Sequence, residues 1–169
     1  GRLELTNGLA GAYGNKAALT AEAGVPETAI FFYDRAIELY QGLEIAERVG
    51  FVDSGKRIAG ELADVMINKA LALTVLSRHR EALQVYQSAI DRYRYLIDVE
   101  GNTAFLPHRA RAYSNVGATH DRLHNTDAAL ECYERAINSY DDAETRGSIS
   151  EQDFDQLALT LSNKANILD

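Results

Sequence analysis

Apolar residues recur along this chain at offsets of 0, 4, 7, 8 and 11, the spacing of a single stripe on an α-helix. The motif is Ala29, Tyr33, Ala36, Ile37, Tyr40, then Ala82, Tyr86, Ala89, Ile90, Tyr93, then Ala129, Tyr133, Ala136, Ile137, Tyr140. Fourteen residues before each opening Ala stands an Asn (Asn15, Asn68, Asn115), and a fourth, Asn163, arrives on the same schedule. Successive Asn residues are 53, 47 and 48 positions apart, and a fixed period of this size is the signature of stacked helical hairpins.

The pattern predicts seven helices and no strand. They run over about Arg2–Ala23, Glu27–Val49, Lys56–Leu76, Arg80–Asp98, Pro107–Leu123, Thr126–Arg146 and Ser150–Leu168. Gly24-Val25-Pro26, the loop Gly50–Gly55, Ser77–Arg80, Glu100-Gly101-Asn102 and Gly147 supply the breaks, with Pro26 and Pro107 suited to a first turn. Asn125 and Ser148 or Ser150 offer capping oxygens. The units are then about 1–50, 51–98 and 99–146, with the first helix of a fourth over 147–169.

Side-chain size sets the expected packing. Ala17, Ala70, Gly117 and Ala165, two positions after each Asn, allow the first helix of a hairpin to approach the second closely. Tyr13, Met66, Tyr113 and Leu161, two before each Asn, supply bulk inside the hairpin. Tyr33, Tyr86 and Tyr133 are expected to fill the junction with the next unit. One hairpin cannot bury both its sides, so units must stack.

Composition narrows the class. With 17 Lys+Arg against 25 Asp+Glu the net charge is −8, which argues against a nucleic-acid or anionic-membrane binder. A single Cys gives no intramolecular disulfide, no run is long enough to span a bilayer, and no leader pattern is present, so a cytoplasmic setting is expected. The ends read as cuts. There is no initiator Met, and Asn163-Lys164-Ala165 opens a copy whose second helix is missing. The apolar stripe Leu157, Leu161, Leu168 would then stay uncovered and favour end-to-end self-association.

Asn68-Lys69-Ala70 through Glu81-Ala82-Leu83, Tyr86 and Ala89 resembles the tetratricopeptide repeat, and the resemblance extends over three units plus one helix. It implies an all-α fold, a right-handed α-solenoid of antiparallel helix hairpins. The family unit is about 34 residues, so the spacing here points to the long-repeat variety of multidomain bacterial proteins. Lys16, Lys69 and Lys164 depart from a usually apolar position, where the third copy keeps Val116; each is expected to bury its stem and expose its ammonium.

The same resemblance implies a concave groove lined by the first helices. Its positions become Gly11, Asn15, Ala18; Asp64, Asn68, Leu71; Arg111, Asn115, Ala118; and Leu159, Asn163, Asn166. An Asn amide both donates and accepts, so it suits capture of a peptide backbone; equally, each Asn can brace its helix against the neighbouring unit. Asp64, Leu71, Arg111 and Arg122 would supply selectivity. The cation slots of a carboxylate clamp are filled by Gly14, Ile67 and Ser114, which excludes that mode. The expected function is a protein–protein interaction module for a protein or peptide partner. The alternative is an intramolecular regulatory or sensor arm of a larger signalling ATPase, kinase or protease.

Catalytic chemistry is sparse, and no enzymatic activity, cofactor or metal is expected. His120 and His124 stand at i, i+4 as zinc ligands can, but no Glu follows the first His as in a metalloprotease helix, and His120 falls on a packing position. His79 and His108 fall in turns. Cys132, next to Tyr133, reads as a half-buried structural thiol.

Overall fold

The computed structural model describes residues 1–48 and 57–168. The predicted Gly50–Gly55 loop, the end of the second predicted helix and the start of the third lie outside them. Among the described residues the chain is all-α, with helices α1 (Arg2–Glu22), α2 (Pro26–Arg48), α3 (Arg57–Val75), α4 (His79–Arg94), α5 (Leu106–Arg122), α6 (Thr126–Thr145) and α7 (Glu151–Leu168). A π-helical turn, Tyr95–Val99, continues α4, and a short 3-10 turn, Thr103–Phe105, leads into α5. The chain divides into two compact units, Gly1–Ala89 and Ile90–Asp169, with the divide inside α4.

The first helix of each of the first three copies stops by one device. Nine residues after each Asn the backbone turns left-handed: Gly24 at φ 78°, Ser77 at φ 59° and His124 at φ 57°. The next residue then donates its N–H back to the helix, Val25 to Thr20, Arg78 to Leu73 and Asn125 to His120, at 2.9 to 3.1 Å. That six-to-one bond is the Schellman closure, and it satisfies carbonyls the helix end would leave open. Only Gly24 occupies the left-handed region without steric cost.

In the first unit α1 and α2 form a hairpin and α3 packs on α2. Ala17, Ala29, Ala36, Leu62 and Ala70 are wholly buried, and burying a Leu-sized side chain contributes about 1.5–3 kcal/mol. α3 runs close by α1 at Gly14, where a Cβ would just touch Val65 Cγ2 at 3.4 Å. In the second unit α5 and α6 form the hairpin and α7 packs beside them. Thr160, wholly buried, places Oγ1 2.9 Å from Ser114 Oγ and also bonds the Gln156 carbonyl. Tyr93 stacks on Phe105 at 5.9 Å and meets His108 edge-on, which packs the corner before α5.

Several expectations are corrected. The ring of Tyr133 lies against its own hairpin: a Cβ on Gly117 would come within 2.7 Å of it. Leu161 is 48% exposed rather than filling a hairpin, whereas Met66 is buried. Asn125 stands at the N-cap of α6 but its side chain does not cap; its amide lies 3.5 Å from His120 Nδ1. Before α7 the capping runs the other way, with Asp153 Oδ2 accepting from both the N–H and the hydroxyl of Ser150. His124 sits beyond the end of α5 in the left-handed turn, so His120 and His124 do not share a helical face. His79 opens α4 and His108 lies inside α5 rather than in turns.

Candidate binding surface

The Asn positions fall where a 3.6-residue repeat places them, on the first helix of each hairpin. In the first unit Asn15 is on α1 and Asn68 on α3, and both side chains are exposed. Asp64, Asn68 and Leu71 form one stripe of α3, with Leu71 41% exposed. In the second unit Asn115 is on α5 and Asn163 on α7, both half-buried, and Arg111, Asn115 and Arg122 share a stripe of α5 with both guanidiniums exposed. Among the described residues none of the four amide side chains forms a hydrogen bond within the chain. Leu159, at 53%, extends the surface on α7, where Phe154 and Leu168 are also exposed.

The lysines next to Asn68 and Asn163 are placed more tightly than an exposed ammonium requires. Lys69 Nζ on α3 pairs with Asp34 on α2 at 2.5 Å, and Lys164 Nζ on α7 pairs with Glu134 on α6 at 3.2 Å. Both acids directly follow the motif Tyr, Tyr33 and Tyr133 respectively. The signal was present in the sequence, since the copy that precedes Val116 carries neutral Gln87 after Tyr86. Lys16 instead covers the Phe32 ring at 4.2 Å, a cation–π contact.

The phenols behind this surface are hard to ionise. Tyr140 is pushed up to about 12, chiefly by burial and then by the Asp153 carboxylate, with Arg111 opposing. Tyr133 is likewise pushed up to about 12 by burial and by Asp121. Burial also raises the Cys132 thiol, against the pull of Arg135, so this half-buried sulfur is a poor nucleophile at neutral pH. Among the described residues no group of three or more His, Cys, Asp or Glu is placed to hold a metal ion, and no helix is long and apolar enough to cross a membrane.

A second feature lies elsewhere on α5 and α6 and escaped the sequence reading. Arg109, Tyr113, Arg135, Asn138, Ser139 and Asp142 line a cleft of about 270 Å³. Its signal was a break in the repeat: six residues before the Asn the other copies carry Leu9, Leu62 and Leu157, and this copy carries Arg109.

Residues 110–142, from α5 through most of α6, match the tetratricopeptide repeat family. The match covers this one copy of the repeat. No curated protein is matched in sequence. Among solved structures, BtubC (BKLC) from P. vanneervenii superposes with a TM-score of 0.68 at 21% identity, over 94% of this chain and 55% of that one. The chain spans about half the length of BtubC, and the likeness concerns the fold. MamA aligns at 18% identity over 96% of this chain and 91% of its own, with a TM-score of 0.37 that supports no structural argument.

Proposed function

We propose that this tetratricopeptide repeat chain is a protein–protein interaction module that holds a peptide or partner segment on its Asn-bearing helix faces. The observation that carries the reading is the state of the four amides. Asn15 and Asn68 are exposed, Asn115 and Asn163 half-buried, and none is engaged within the chain among the described residues. A bracing role would consume those donors and acceptors; a partner's peptide groups would use them. Backbone capture of this kind is indifferent to sequence, so selectivity falls to Asp64, Leu71, Arg111 and Arg122. The mixed signs of these side chains suit a partner segment carrying both charges and an apolar residue for Leu71. The 47-to-53-residue spacing is read as the long-repeat variety.

The test is selection from a displayed random-peptide library on the whole chain, followed by binding of the selected peptides to Asn68→Ala and Asn115→Ala variants. Loss of binding with unchanged circular dichroism supports the reading. Peptides that bind the variants as well as the parent place recognition elsewhere. An empty selection favours a segment that packs against its own larger protein.

A further inference from the structure

We infer that the cleft between α5 and α6 is a carboxylate-binding site, built to take a single Asp or Glu side chain of a partner protein. It is separate from the Asn-bearing face of α5, since Tyr113 lies about 160° and Arg109 about 120° around that helix from Asn115 at 3.6 residues per turn.

The first ground is the break in the repeat. At the position of Arg109 the second copy carries Leu62, which is wholly buried. Placing a guanidinium where the repeat otherwise places a Leu is costly unless the charge is paired, and departures of this kind from local consistency concentrate at functional sites. The Arg109 side chain is only 16% exposed, and Nη1 stands 3.8 Å from Asp98 Oδ1, beyond hydrogen-bond length.

The second ground is how that guanidinium is held. Nε of Arg109 donates to Ser139 Oγ at 3.3 Å, and Ser139 in turn donates to the Arg135 carbonyl at 2.9 Å. Ser139 is 3% exposed, so the anchor is buried and orients the fork, whose Nη1 keeps a long ion pair with the half-exposed Asp98. A guanidinium fork matches a planar carboxylate. The Arg135 guanidinium lies over the Tyr113 ring at 5.8 Å while Nη2 is held by Glu131, so a second cation stands at the same cleft with its orientation set. Asn138 adds an amide donor to the lining.

Size and charge select the ligand. A volume of about 270 Å³ falls below the range of drug-sized pockets and suits one side chain. Asp98, Glu131 and Asp142 surround the two arginines, and the chain as a whole carries −8. With three carboxylates against two guanidiniums, such a rim opposes a phosphate dianion or a polyanion more strongly than a single carboxylate.

The experiment is nitrogen-15 NMR titration of the whole chain with N-acetyl-glutamate amide, with N-acetyl-glutamine amide and inorganic phosphate as parallel arms. The carboxylate should give saturable shifts at the Arg109 Nε–H and at the Tyr113, Asn138 and Ser139 amides. The neutral analogue should give none and phosphate weaker ones. Arg109→Leu restores the residue type of the other copies, so it should fold and lose the response. Arg135→Gln should weaken it roughly tenfold, the loss of one charge-assisted contact, and Arg111→Gln should leave it unchanged. Absence of saturable shifts, shifts surviving Arg109→Leu, shifts that follow Arg111 instead, or stronger binding of phosphate would each overturn the proposal. Because the readout lies off the Asn-bearing helix faces, its failure leaves the proposed peptide binding untouched, and the reverse holds.

Discussion

Replacing Gly117 by Ala sets two rules against each other. The other copies carry Ala17 and Ala70 at this position, 16 residues before Tyr33 and Tyr86, so the repeat itself recommends Ala. Helix propensity agrees, because Gly inside a helix costs about 1 kcal/mol relative to Ala. The tertiary structure opposes both. A Cβ at position 117 would stand 2.7, 2.9 and 3.0 Å from three atoms of the Tyr133 ring, where carbon contacts settle at about 3.5–4 Å. The ring is 1% exposed, so it has little room to retreat, and overpacking of this sort costs about 1–3 kcal/mol. The net for Gly117→Ala is therefore a loss of about 0–2 kcal/mol. Gly42, inside α2, is the control: a Cβ there meets nothing within 4 Å, so Gly42→Ala should gain about 1 kcal/mol. The propensity gain cancels between the two variants, and their difference isolates the ring contact at about 1–3 kcal/mol, or roughly 2–12 °C in melting temperature for a chain of this size. Thermal and urea unfolding followed by circular dichroism measures it, and adding Tyr133→Leu to Gly117→Ala should recover much of the loss through non-additivity. Equal upward shifts for both Gly variants would refute the reasoning.

Two further expectations follow from the backbone and the phenols. Ser77→Gly and His124→Gly should each stabilise the fold by about 1 kcal/mol, since both side chains occupy the left-handed region, and unfolding midpoints in urea would show no gain if the turns relax freely. Tyr133 and Tyr140 have folded-state values raised to about 12 from an ordinary 10.0. The neutral phenol is favoured in the folded state, so its contribution is complete below pH 10 and is lost as pH climbs toward 12. Phenolate absorbance should therefore show a late-titrating class that appears together with loss of helical dichroism; tyrosines that all titrate normally while the helices persist would contradict it.

Much of the fold was legible because it is periodic. The spacing of Ala29, Tyr33, Ala36 and Tyr40, repeated twice, places one apolar stripe per helix, and Gly24, Pro26, Gly101 and Gly147 punctuate the chain where the backbone turns. The helix bounds agree with the pattern to within a few residues wherever they are described. The buried Ala and Tyr positions also follow, because each copy repeats the same steric problem. What periodicity hides is any feature that depends on a single copy. The left-handed turns at Ser77 and His124 carry no glycine to announce them. Asp34 and Glu134 look like surface acids until α3 and α7 bring Lys69 and Lys164 to them.

The sequence by itself therefore determined the secondary structure, the repeat, the all-α class and the helical stripes that carry Asn15, Asn68, Asn115 and Asn163. These rest on local spacing, which the chain records directly. Tertiary structure alone decided that Tyr133 closes on Gly117, that Ser139 pins Arg109, and that Arg135 shares a cleft with it. Those relations join α5 to α6 across 16, 30 and 26 residues, and they depend on interatomic distances that no pattern of residue types contains.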